Sequence, residues 1–148
     1  MKAKTILAVV VLLGIVAIAI AGAVPDQPYM QAARGNLMTA RSELQRASAD
    51  KGGHRVNAIG LVNNAITEVN LGIDYDRRHN HPSSVTPETL FAGSPDQPHM
   101  QNALNALENA KDNLNKATSD KGGHRVKAID YVKDAISEVK KGIDAGRN

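Results

Sequence analysis

The sequence predicts an all-α protein: two tandem antiparallel helical hairpins stacked as an up-down four-helix bundle, behind an apolar N-terminal signal or anchor helix. Three observations carry that expectation. Residue n matches residue n + 70 without a gap over most of the chain after the leader, and about half of the matched positions are identical. Apolar residues in each copy recur in alternating steps of three and four, the spacing of a bundle seam. Aromatic residues make up 3 % of the chain and Trp is absent. The core therefore falls to Ala, Leu, Ile, Val and Met, which suit helix packing and serve a β-sandwich poorly.

The first element is the leader, residues 1–23. Lys2 and Lys4 precede Ile6 to Ile20, a run without a polar side chain, and Ala21-Gly22-Ala23 offers small residues to a signal peptidase before Pro25. Cleavage there would start the chain at Val24 and place it in the periplasm or outside the cell. The competing expectation is a retained anchor, because residues 6–24 form an apolar run of about 19 residues, enough to span a bilayer. Membrane contact is expected through this run alone.

The first hairpin occupies residues 24–76 and the second residues 95–148. Pro25-Asp26-Gln27-Pro28 recurs as Pro95-Asp96-Gln97-Pro98, and each is expected to open a helix, with Asp26 or Asp96 as cap. The stripe of the first helix reads Met30, Ala33, Leu37, Ala40, Leu44, Ala47, matched by Met100, Ala103, Leu107, Ala110, Leu114, Ala117. After a short turn near Ser48 or Thr118, the second helix is expected to start beyond Asp50 or Asp120. Its stripe reads Val56, Ile59, Val62, Ile66, Val69, Ile73, matched by Val126, Ile129, Val132, Ile136, Val139, Ile143. Outward positions drift: Asn57, Asn63 and Asn70 become Lys127, Lys133 and Lys140, as a solvated face permits. One hairpin cannot bury its stripes alone, so two must stack, either within one chain or as a homodimer that uses the linker, residues 77–94, as a hinge. Thr86-Pro87-Glu88 is expected to start one helical turn in that linker.

Composition excludes several function classes. Without cysteine there is no disulfide, thiolate nucleophile, Cys-bound zinc or covalently held c-type haem. The formal charge of +3 falls to about +1 once Lys2 and Lys4 are set aside, and no basic stripe is interleaved with aromatics, so nucleic acid is not an expected partner. No Glu-x-x-His di-iron motif and no serine in an elbow pattern occurs, so the chain is not expected to be an enzyme.

Two groups of residues are candidates for binding. The motif Asp-Lys-Gly-Gly-His-Arg heads each second helix. Lys51, Gly52, Gly53, His54 and Arg55, with Lys121, Gly122, Gly123, His124 and Arg125, could hold a small anion or an unknown protein partner against exposed helix N–H groups. The plainer expectation is that the glycines permit a tight turn while His54 and His124 bond the last carbonyls of the preceding helix. Stacking by simple repetition would put His54 and His124 at one end of the bundle. The second group is His79, His81 and His99, placed at the other end, which could hold zinc or copper. Met30 or Met100 with one of these histidines is the only arrangement suited to haem, although Met on an apolar stripe is ordinarily core. No cofactor is predicted beyond these metal and haem candidates.

The motif pair Pro-Asp-Gln-Pro-His-Met-Gln at 95–101 and Asp-Lys-Gly-Gly-His-Arg-Val-Lys-Ala-Ile at 120–129 resembles a group of small bacterial exported proteins with helical hairpins behind a signal peptide. The resemblance implies compartment and fold and brings no activity with it. Tyr29 departs from the pattern where the second copy has His99. The expected function is a non-enzymatic extracytoplasmic structural or binding module, with a periplasmic metal- or haem-binding protein as the alternative.

Overall fold

The structure, a computed structural model, describes residues 27–49, 52–80, 97–117 and 122–147. These form four helices: α1 (Gln27–Arg46), α2 (His54–Asn80), α3 (Gln97–Lys116) and α4 (His124–Ala145). The leader, the caps Asp26 and Asp96, and the turn expected at Thr86 lie outside the described residues. Among those described, no helix is long and apolar enough to cross a membrane.

Each helix repeats a small residue every seven positions. In α1 the core positions are Ala33, Leu37, Ala40 and Leu44, continued by Ala47 just past its end, and in α2 they are Ala58, Val62, Ala65, Val69 and Ile73, all buried. Helices α3 and α4 repeat the pattern with Ala103, Leu107, Ala110, Leu114 and with Ala128, Val132, Ala135, Val139. Alanine at one seam position lets backbones approach, and the intervening Leu or Val fills the space alongside. Leu37, Leu44, Leu107 and Leu114 are completely enclosed, and burying each stabilises the fold by roughly 1.5–3 kcal/mol relative to exposure. Met30 and Met100 complete this core at the helix starts.

The second-helix stripe follows the sequence expectation only in part. Val56 and Val126 are 62 % and 54 % exposed, and Ile59 and Ile66 are only partly buried. Val62, Val69, Ile73, Ile129, Val132, Ile136, Val139 and Ile143 of the expected stripe are buried, and the alanines at 58, 65, 128 and 135 join them. A reading that counts only large side chains misses those alanines. The helix also begins later and ends later than expected. Gly52 and Gly53 precede α2 instead of forming its first turn, and Arg77 to Asn80 belong to the helix instead of the linker.

Helix α1 packs on α2 and α3, and α4 packs on α2 and α3, leaving α1/α4 and α2/α3 as the diagonals. Within the first hairpin, Arg55 reaches the carbonyl of Leu44 and Arg41 reaches Asn63, so α1 and α2 run antiparallel. Between hairpins, His54 of α2 meets Glu138 of α4, while His124 of α4 meets Glu68 of α2. This reciprocal pairing requires α2 and α4 to be antiparallel as well. His99 near the start of α3 meets Glu43 near the end of α1, so that pair is also antiparallel. All neighbours in the square oppose one another, and the chain runs up, down, down, up. The second hairpin is therefore inverted on the first. His54 and His124 lie at opposite ends of the bundle, which corrects the shared end expected from simple repetition.

The turn before each second helix explains its two glycines. Gly53 and Gly123 both adopt φ of +73°, the left-handed region where a side chain is strained. Gly52 serves differently, because a Cβ there would lie 2.6 Å from Cδ2 of His54. At Gly122 it would meet His124 and also Tyr75, whose position in the second copy is Ala145. The first glycine makes room for the imidazole and the second redirects the chain. Gly53→Ala should lower stability by about 1–2 kcal/mol. Gly60→Ala, inside α2 with nothing within 4 Å of the new methyl, should raise it by about 1 kcal/mol. Urea melts of the two variants check the contrast, and equal effects would show that backbone conformation is not what fixes the turn.

Candidate functional site: histidine–glutamate seams between the hairpins

The chemistry-bearing side chains gather where one hairpin meets the other. On the α2/α4 seam, His54 Nδ1 lies 2.9 Å from Glu138 Oε2 and His124 Nδ1 lies 2.8 Å from Glu68 Oε2. Midway between these pairs, seven residues from each, sit Leu61 and Tyr131, both packed against the core. The seam thus reads polar, apolar, polar, with the same register from either end. Each carboxylate is an acceptor, so the imidazole Nδ1 carries the proton and donates.

Glu138 has further support. Lys141 Nζ bonds Glu138 Oε1 at 2.8 Å, and Asn57 donates to Oε2 at 3.4 Å. Lys141 first, then His54, hold the Glu138 carboxyl down from 4.5 to about 2, against a small opposing effect of burial. The native state favours the ionised form, so this contribution is complete above pH 4.5 and fades as pH falls from there towards 2. Acid titration of the urea midpoint should show a shallower loss over that interval in Glu138→Gln than in the unaltered chain. Identical slopes would remove Glu138 from the acid response.

The α1/α3 seam has a single, more enclosed pair. His99 Nδ1 lies 2.6 Å from Glu43 Oε2, with side-chain exposures of 7 % and 5 %. Arg46 stands 3.7 Å from the other carboxylate oxygen, and Asn102 lies 3.5 Å from Oε2. Pairing and hydrogen bonds are what allow a carboxylate to be buried here. The equivalent positions at the far end of this seam hold Tyr29 and Asn113. The two α2/α4 pairs are duplicated, and this one is not.

The residues singled out from sequence are now placed. His54 and His124 bind glutamates of the opposite hairpin instead of helix-end carbonyls. That capping role falls to the next residue: Arg55 Nη1 donates to Leu44 O at 3.2 Å and Arg125 Nη1 donates to Leu114 O at 3.0 Å. Lys51, Lys121 and His81 lie outside the described residues. His79 stacks on Tyr75 at 4.1 Å and donates from Nδ1 to its carbonyl at 2.7 Å, near the end of α2. His99 sits at the opposite end of the bundle, so the expected His79/His99 pairing does not form. Among the described residues no three of His, Cys, Asp and Glu converge as metal ligands. Asn57, read from sequence as merely solvated, contributes to the Glu138 site.

An open groove of about 580 Å³ runs between α2 and α4 beside the His54–Glu138 pair, over Gly60, Asn64 and Ser137. The fold and these seams define a helical-hairpin duplication closed by reciprocal histidine–glutamate hydrogen bonds. No family model, curated protein or solved structure matches the chain.

Proposed function

We propose that this protein is a non-enzymatic module that works outside the cytoplasm as a structural or binding element. The observation that supports the reading is how the imidazoles are used. His54, His99 and His124 each spend Nδ1 on a glutamate of the other hairpin, and His79 spends its own on a backbone carbonyl. Three of these imidazoles thereby tie one hairpin to the other, and that structural use of histidine supports the reading. The leader, with its basic start and small-residue end, supports export. Val24 is the expected first residue of a cleaved chain.

Elemental analysis and an absorption spectrum of protein recovered from the exported fraction test this reading. The expected result is no stoichiometric metal and no Soret band, and either one would overturn it in favour of a metal- or haem-binding protein. N-terminal sequencing of the same material tests the leader. A chain beginning at Val24 marks cleavage, and an intact Met1 in the membrane fraction marks a retained anchor.

A further inference from the structure

We propose that the α2/α4 face of each hairpin fits a like hairpin from a second copy of this chain, as well as its own neighbour. The His99–Glu43 pair on the other seam is what confines pairing to unlike hairpins.

The α2/α4 seam has the symmetry of a dimer interface. Counterparts in the two copies differ by 70 in number, so Glu138 corresponds to Glu68 and His124 to His54. In the structure His54 meets Glu138 and His124 meets Glu68. Two first hairpins packed in the same inverted way would set His54 of each against Glu68 of the other. Two second hairpins would likewise set His124 against Glu138. Both hydrogen bonds form in every case. The centre stays apolar too, with Leu61 against Leu61 or Tyr131 against Tyr131 where the structure has one of each beside the core. Nothing on this seam tells a like hairpin from an unlike one.

The α1/α3 seam does tell them apart. His99 Nδ1 lies 2.6 Å from Glu43 Oε2, and both residues are buried. Two first hairpins would set each Glu43 against Tyr29 instead. Tyr29 is 43 % exposed where its counterpart His99 is 6 % exposed, so the phenol does not enter the seam as the imidazole does. Asn102, 3.5 Å from Glu43 Oε2, has Ala32 as its counterpart. Like pairing would therefore enclose two carboxylates, each keeping only Arg46 of its own helix. Two second hairpins would set each His99 against Asn113. A buried carboxylate stripped of its donors is strongly unfavourable. The duplicated pairs thus hold any hairpin of this chain, and the one unduplicated pair acts against the like one.

The chain has no cysteine, so Leu61→Cys adds a single reporter at the centre of the seam. It faces Tyr131 in unlike pairing. In like pairing it faces the same residue of a second copy, where a short bis-maleimide joins the two chains. Two hairpins in one chain favour each other through a high effective concentration, so their contact is first weakened. His54→Glu with Glu68→His sets like against like across α2/α4 within a chain, yet leaves like hairpins of two copies correctly paired. With this exchange plus Glu43→Asn and His99→Tyr, at about 0.5 mM protein, cross-linked dimer should rise about tenfold or more over Leu61→Cys alone. The exchange with Glu43 and His99 intact should stay near the Leu61→Cys yield. Completing the exchange with His124→Glu and Glu138→His should return the yield to that level. No rise in the first combination, folded or unfolded, overturns the proposal, because no second copy has been accepted. Equal yields with and without Glu43 and His99 overturn it by removing their selecting role, as does a high yield from Leu61→Cys alone. A yield undiminished by the completed exchange overturns it as well, since the association then does not use the seam.

Discussion

His99→Ala should destabilise the protein by about 3 kcal/mol, the upper end of the range for leaving a buried polar group without its hydrogen-bond partner. The cause is the carboxylate left behind. Glu43 is 4 % exposed and would keep only Arg46 at 3.7 Å and a long bond from Asn102. In a domain of this size the thermal midpoint should fall by about 10–20 °C. Replacing both members by the residues that occupy the equivalent positions, as Glu43→Asn with His99→Tyr, should bring stability back to within about 1 kcal/mol, because no charge is then stranded. Calorimetry of the single and double variants decides the matter. A single variant that melts within a few degrees of the unaltered chain would mean that Glu43 finds water or another cation.

Much of the fold was legible because duplication prints its own core. Leu37, Leu44, Leu107 and Leu114 were recognisable from spacing, and all four are fully buried. The second-helix stripe is legible at Val62, Val69 and Ile73 and incomplete elsewhere for a physical reason. Ala58 and Ala65 contribute little hydrophobicity, yet both are fully buried, and the larger Val56 lies exposed. Burial in a closely packed seam follows size as much as hydrophobicity.

The site was less legible, because it is made between copies and a repeat read along the chain shows only what lies within each copy. The helix-heading motif makes His54 and His124 conspicuous but contains no glutamate to pair with them. A glutamate sits fourteen residues beyond each histidine, Glu68 after His54 and Glu138 after His124, and each is the partner of the other copy's histidine. That recurrence was the available signal. On one hairpin it places an imidazole donor and a carboxylate two heptads apart on a single face, and such a face matches an inverted copy of itself. His99 and Glu43 carried no such signal, since their counterparts Tyr29 and Asn113 differ.

Reciprocity also predicts what selects the inverted arrangement. Hairpins stacked the same way up would set Glu68 beside Glu138 and His54 beside His124, joining like with like. Inverted stacking turns both contacts into hydrogen-bonded pairs. Exchanging the two residues within the first copy, as His54→Glu with Glu68→His, should therefore place Glu against Glu138 and His against His124. The thermal midpoint is expected to drop by on the order of 10 °C. Making the same exchange in the second copy, His124→Glu with Glu138→His, restores both pairs with their direction reversed and should recover most of the loss. Composition is identical in the unaltered, half-exchanged and fully exchanged chains, so changes in helix propensity contribute little to the comparison. Recovery in the fourfold variant would assign the orientation of the hairpins to these pairs. A fourfold variant no more stable than the half-exchanged chain would assign it instead to the apolar register of Leu61 and Tyr131 and to the His99–Glu43 pair on the opposite seam.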